Sequence, residues 1–405
     1  MRRRWIILLL AGLSLALAPA ARSAQPVQAY PANAAQAPDP APEYVPGELI
    51  LGLKDDVELK ALSLPQGMRA AAVSSELARL QSALVRVPPG QEEAYRKKMV
   101  NQPGVLFVEP NYIVYPVDTT PNDPLYPDQW GLPAVGAPAA WNITTGSEAV
   151  IVAVIDSGID PGHPEFAGRL LTGYDFVRNT DSLIDPCGHG THVAGIIAAS
   201  GNNGIGIAGV DWQARILPLR VLNDRCSGTV ANIARALVYA VDHHGAQVIN
   251  LSLGRTAPSR LLENATYYAY RRGAALIAAA GNSGCGLGGS PSSVVYPARY
   301  PWTLAVSAID SSHLPAWFSS CGAEVDLAAP GVGILSTTPM QGNFFYQSPT
   351  VPNEYGSLSG TSMAAPHVSG AAALLAGRGF EHPDAIFKAL NDSARDIDIL
   401  GFDNK

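Results

Sequence analysis

From Trp130 onward, short apolar runs alternate with stretches of helical spacing, and this limits the fold more than any other feature of the chain. The run Val150-Ile151-Val152-Ala153-Val154-Ile155 is rich in β-branched residues and too short for a helix, so it reads as a buried strand. Residues 216–221, 247–253, 275–280 and 303–308 read the same way. Residues 191–199, 230–243, 264–272, 363–376 and 383–391 have helical spacing. Such alternation with short links predicts an α/β fold, a mostly parallel sheet with helices on both faces. Ligand sites in such sheets gather at the C-terminal ends of the strands.

Before Trp130 the pattern differs. Residues 48–54, 84–87 and 104–115 read as strands, 75–80 and 92–99 as helices. This predicts a separate small α+β unit with its helices on one face of a sheet. Residues 25–42 are rich in Ala, Pro and Gln without a hydrophobic period, which predicts a disordered linker. At the start, Arg2, Arg3 and Arg4 precede an apolar stretch from Trp5 to Ala18, and Ala18-Pro19-Ala20 offers small residues for cleavage. These are the parts of a secretory signal, with Ser23 as the competing cleavage point. The apolar stretch is shorter than the ~20 residues that cross a bilayer, so no membrane anchor is expected. The expected organisation is a signal peptide at 1–23, a linker at 24–43, the small unit at 44–118 and the α/β domain at 119–405.

Composition supports a large core, at 47% hydrophobic and 15% charged residues. A net charge of −7 gives no reason to expect a nucleic-acid partner. Cys187, Cys226, Cys285 and Cys321 fit export to an oxidising compartment, and their number leaves three connectivities open. Asn142, Asn250, Asn264 and Asn391 open Asn-x-Ser/Thr triplets, but Asn250 falls on a core strand, so these read as chance matches.

Four short motifs carry the chemistry. Asp156 ends the first apolar run and opens Asp-Ser-Gly-Ile-Asp; His189 opens His-Gly-Thr-His-Val-Ala-Gly. Asn282 ends Ala-Ala-Ala-Gly-Asn, and Ser362 lies in Gly360-Thr361-Ser362-Met363-Ala364-Ala365-Pro366 at a helix start. A serine needs a base, an orienting acid and oxyanion donors to act as a nucleophile, and these residues supply each type. Taken singly, each has an ordinary reading: a helix cap for Ser362, turn residues for Asp156 and Asn282, a structural histidine for His189. His192 is the better structural histidine, and Asp160 reads as a loop carboxylate. Pro366 reads as a first-turn proline, where a missing N–H costs little.

The four motifs in the order Asp, His, Asn, Ser resemble the subtilisin-like serine peptidases, and Thr120-Pro121-Asn122-Asp123-Pro124 resembles the thermitase-like branch. The resemblance implies a secreted, monomeric endopeptidase acting on polypeptides through an acyl-enzyme. Asp156, His189 and Ser362 would form its triad, with Asn282 as an oxyanion donor. It implies that Ser252, Leu253 and Gly254 form the edge that pairs with substrate, that Ala279 and Gly281 line the first specificity pocket, and that Val295 is its floor. It implies that the 44–118 unit is an inhibitory propeptide, released by self-processing between Tyr115 and Asn122. It favours the pairings Cys187–Cys226 and Cys285–Cys321. Finally, it implies a structural Ca²⁺ held by Asp123, Glu165, Asn203 and carbonyls of Gly201, Ile205 and Ile207. Hard oxygen donors of this kind suit that ion.

Overall fold

The structure is a computed structural model that describes residues 44–54, 57–71, 75–113, 119–285, 293–340 and 354–395. The expected signal segment and linker, residues 114–118 and the last ten residues lie outside these. The chain divides into two compact units, residues 1–116 and 117–405.

In the first unit, β1 (Tyr44–Leu53), β2 (Arg69–Ala70), β3 (Ser82–Arg86) and β4 (Val105–Tyr112) form an antiparallel sheet of order β2-β3-β1-β4. Helices α1 (Ser75–Arg79) and α2 (Glu92–Met99) complete it. Leu49, Leu51 and Leu53 alternate along β1 and turn inward to meet Tyr95 and Met99 of α2. That period of two buries one face of the sheet under the helix.

The second unit begins with two short helices, α3 (Gly131–Ala134) and α4 (Ala137–Trp141). There follow β5 (Ile151–Asp156), β6 (Tyr174–Asp175), α5 (His189–Ala198), β7 (Arg215–Arg220), α6 (Val230–His244) and β8 (Val248–Leu251). Next come α7 (Arg260–Arg271), β9 (Ala275–Ala279), β10 (Thr303–Ile309) and β11 (Leu327–Pro330). The unit ends with the antiparallel pair β12 (Ile334–Thr337) and β13 (Tyr355–Leu358), then α8 (Thr361–Gly377) and α9 (Pro383–Ser393). The main sheet has seven parallel strands in the order β11-β10-β9-β8-β5-β7-β6.

The continuous apolar runs are explained by burial on both faces. Val152 and Val154 of β5 face the layer of α5, α8 and α9, while Ala153 and Ile155 face that of α6 and α7. Helix ends follow local chemistry. Thr229 Oγ1 caps α6 by accepting from Asn232 N–H at 3.3 Å, and Ser259 Oγ caps α7 by accepting from Leu262 N–H at 3.4 Å. The Ser259 cap starts α7 four residues earlier than its apolar spacing suggests. β5 pairs with β7 on one side and β8 on the other, so the strand order reverses between β5 and β8. This is the switch point where such sheets open a crevice, and Asp156 and Ser252 both lie at its mouth.

Candidate active site

Asp156 is the last residue of β5 and is fully buried. Its Oδ1 accepts from the N–H of Ser157 at 2.7 Å and lies 2.8 Å from Nδ1 of His189. His189 is the first residue of α5, not a residue ahead of it. The helix comes this close because Gly190 has no side chain: a Cβ there would stand 2.1 Å from the carbonyl oxygen of Gly158.

A second carboxylate, which the motifs did not single out, organises the same corner. Asp185 Oδ1 accepts from Ser157 Oγ and Gly188 N–H, both at 2.8 Å. Its Oδ2 accepts from the N–H of Thr191 at 2.8 Å and from its hydroxyl at 2.7 Å. Asp185 thereby caps α5 and, through Ser157 Oγ, which also accepts from Gly190 N–H at 2.9 Å, ties it to the end of β5. Burial pushes the Asp185 carboxyl up despite these donors. Burial also pushes the His189 imidazole down, but the charge and hydrogen bond of Asp156, helped by Asp185, hold it above its ordinary value. His192, one turn further, is a different case. Burial pushes it down to about 3, so it is neutral, and its Nε2 lies 3.0 Å from the carbonyl of Gly356.

Ser362 is the second residue of α8, where free N–H groups and the helix dipole favour negative charge. Its Oγ donates to the carbonyl of Ser252 at 3.3 Å. Pro366 is inside α8 rather than in its first turn. Asn282 Oδ1 accepts from both the N–H of Thr361, at 2.9 Å, and its hydroxyl, at 3.0 Å. An N–H can only donate, so the amide oxygen faces Thr361 and Nδ2 is turned away from it. Thr361 Oγ1 also accepts from Gly281 N–H at 3.1 Å, locking the loop after β9 to the start of α8. The motif reading missed this role because it depends on a contact 79 residues apart in sequence.

A cavity of about 480 Å³ opens beside His189, lined among others by Leu222, Cys226, Ser252, Leu253, Gly254 and Tyr296. Arg255 also lines it. Ala279, Gly281 and Val295 do not line this cavity, but Val295 packs against Gly254, which does. Arg255 and Tyr296 exchange backbone hydrogen bonds at 2.8 Å, which holds Val295 against the edge segment. The Val295 side chain stands between two glycines: a Cβ on Gly254 would meet its Cγ2 at 2.3 Å, and one on Gly281 its Cγ1 at 3.0 Å. Disulfides join Cys187 to Cys226 and Cys285 to Cys321, with Cα atoms 5.6 and 5.3 Å apart. The first connects the segment before His189 to the cavity wall.

Away from the cleft, Asp123, Glu165 and Asn203 come together. Asp123 accepts from the N–H groups of Asn202 and Asn203 at 2.6 and 3.2 Å. Glu165 accepts from Asn203 Nδ2 at 3.0 Å, Ile207 N–H at 2.9 Å and Tyr355 Oη–H at 3.0 Å. Both carboxylates are buried, and burial pushes both up. Among the described residues neither has an ion-pair partner, and no cluster of three or more His, Cys, Asp or Glu forms a metal site. Asn250 is fully buried, so its triplet is not a glycosylation site in the folded protein.

Residues 147–399 match the family model described as the subtilase family, and residues 31–111 match that described as the fervidolysin N-terminal prodomain. The chain is 41% identical over 361 residues to a thermophilic serine proteinase of Bacillus sp. (strain AK1), covering 88% of this chain and 84% of that protein. It is 44% identical over 261 residues to thermitase of Thermoactinomyces vulgaris, covering 64% and 86%. Among solved structures, a protease from Pseudoalteromonas arctica aligns with a TM-score of 0.61 at 32% identity, over 69% of this chain and 93% of that one. A cold-adapted subtilisin-like serine proteinase aligns with a TM-score of 0.52 at 32% identity, over 63% and 86%.

Proposed function

The chain belongs to the subtilase family of serine endopeptidases, and from that premise we propose that Asp156, His189 and Ser362 form its catalytic triad. The observation that carries this reading is the 2.8 Å contact of His189 Nδ1 with a fully buried Asp156, at the sheet switch point that Ser362 also approaches. His189 takes the Ser362 proton through Nε2 as Oγ attacks the scissile carbonyl. It then returns the proton to the leaving amine, and Asp156 holds the tautomer and stabilises the imidazolium. The oxyanion is received by the Ser362 N–H at the start of α8 and by Nδ2 of Asn282, whose orientation Thr361 sets. Water then hydrolyses the acyl-enzyme by the same proton route.

The substrate pairs as an extended strand with Ser252, Leu253 and Gly254. Ala279 and Gly281 wall the first pocket and Val295 floors it. No basic preference is expected there, because among the described residues no acidic side chain is clearly placed in that pocket. The match to a prodomain supports a zymogen in which residues 44–118 inhibit the enzyme until self-processing frees it. The stretch Thr120-Pro121-Asn122-Asp123-Pro124 supports the thermitase-like branch. Export fits the two disulfides and the signal-like residues 1–23. Among the described residues no helix is long and apolar enough to cross a membrane, and the enzyme acts as a secreted monomer.

Calcium fits the carboxylates of Asp123 and Glu165, two buried acids with no ion pair within 4 Å among the described residues. Asn203 and the carbonyls of Gly201, Ile205 and Ile207 would complete an oxygen donor set. The ion would tie the chain ahead of α3 to the 201–207 loop and takes no part in peptide cleavage.

Expressing the chain beside its Ser362→Ala variant tests the reading. The parent should process itself and hydrolyse casein, and the variant should do neither. Self-processing by the variant would exclude Ser362 as the nucleophile.

A further inference from the structure

Pro366 interrupts the hydrogen bonding of α8. It carries no N–H, so the carbonyl of Ser362, four residues earlier, lacks its usual helical donor. Ser252 takes that place, its Oγ–H donating to the Ser362 carbonyl at 2.8 Å. Oγ of Ser252 itself accepts from Nδ2 of Asn250 at 3.0 Å. Oδ1 of Asn250 in turn accepts from Oγ of Ser369 at 2.8 Å. All three side chains are buried. Ser369 follows Ser362 by two helical turns, so both lie on the face of α8 that looks at β8. The hydrogen bonds therefore run from α8 to β8, along β8 to Ser252, and back to the start of α8.

The direction of each bond matters. A serine hydroxyl has one proton to give. Ser252 can give it to Ser362 because Asn250 presents its NH₂ group, not its oxygen. Asn250 is held that way by the Ser369 proton on its Oδ1. Without that donor the amide can turn over, and its oxygen then competes for the Ser252 proton. The Ser362 carbonyl would lose its donor, and Ser252, whose own carbonyl accepts from Ser362 Oγ at 3.3 Å, would shift. Ser252 is also on the substrate edge, so the same shift would move the nucleophile relative to the bound chain.

We propose that Ser369 and Asn250 are positioning residues for catalysis, acting through Ser252 to set where Ser362 stands. The inference rests on the reading of Ser362 as the nucleophile. The test compares the parent enzyme with Ser369→Ala, Ser252→Ala and the double variant, each well below its own melting temperature. Two rates are read: kcat and KM on a peptide anilide, and modification of Ser362 by phenylmethylsulfonyl fluoride, in which the serine oxygen displaces fluoride. Ser369→Ala should lower kcat and the modification rate together by about tenfold, with KM little changed. The double variant should be no slower than Ser252→Ala alone, because both changes break one relay. A Ser369→Ala enzyme that melts earlier but reacts at the parent rate would overturn the proposal, as would losses that multiply. A parent enzyme that the sulfonyl fluoride leaves unmodified would overturn the nucleophile itself, and the relay with it.

Discussion

His189 Nδ1 stands 2.8 Å from Oδ1 of Asp156, while the other oxygen of that buried carboxylate has no partner among the described residues. The imidazole is thus the main cation-forming group that Asp156 can serve. Asp156→Asn should lower kcat by about 10⁴-fold with the fold intact. The pH profile should also move. The base works only when neutral, so activity falls as pH drops through the His189 pKa, which Asp156 holds above the ordinary value. Removing that charge lets burial dominate, and the acid limb of residual kcat/KM should shift to lower pH. An unmoved acid limb would mean that His189 is not the titrating base.

The position of Val295 between Gly254 and Gly281 predicts a shallow first pocket, favouring Ala, Leu or Met over Phe and Tyr before the cleaved bond. Val295→Gly should raise kcat/KM for a Phe anilide relative to an Ala anilide by about tenfold or more, from ~1–3 kcal/mol of relieved crowding. The ratio on the two anilides is the measurement, and an unchanged ratio would remove Val295 from the pocket floor.

The Cys187–Cys226 link closes a loop with a sequence separation of 39 residues and joins the segment before His189 to the cavity wall. Replacing both cysteines by serine should destabilise the enzyme by up to about 4 kcal/mol. It should also lower kcat/KM at temperatures where the variant is fully folded, because the His189 segment and the cavity wall then move separately. The matching change at Cys285 and Cys321 should cost stability as well. Melting curves and anilide kinetics on the two double variants would separate the effects.

If calcium occupies the Asp123–Glu165 pair, a chelator should lower the melting temperature of the mature enzyme. At an ion concentration about 100 times Kd the bound form gains about 2.7 kcal/mol. An Asp123→Asn, Glu165→Gln variant should melt at the same temperature with and without chelator. A parent enzyme whose melting ignores the chelator under reversible conditions would exclude the ion.

Much of this arrangement could be read before any coordinates. The strands of the main sheet up to β10, apart from the two-residue β6, announce themselves because burial on both faces demands continuous apolar runs, as in Val150–Ile155. β11, β12 and β13 do not, because Leu327–Pro330 is only four residues long and ends in proline, and Tyr355–Leu358 is short and mixed in polarity. The four motif residues could be singled out because each sits in a distinctive local string. Asp185, Thr361 and Ser369 were not. Their hydrogen bonds are made to partners that only folding brings near: Ser157 for the first, Asn282 for the second, Asn250 for the third. Pro366 was misplaced by sequence alone because the helix begins at Thr361, which puts the proline five residues further on.

That proline sets a limit on engineering. Helices are ordinarily improved by exchanging an internal proline for alanine, which restores a backbone donor and a full ladder. Here the restored N–H would claim the Ser362 carbonyl and displace the Ser252 hydroxyl that now holds it. The irregularity in α8 is what keeps its first turn answerable to the neighbouring strand, and if Ser252 places the nucleophile as proposed, a more regular helix at this point would make a slower enzyme.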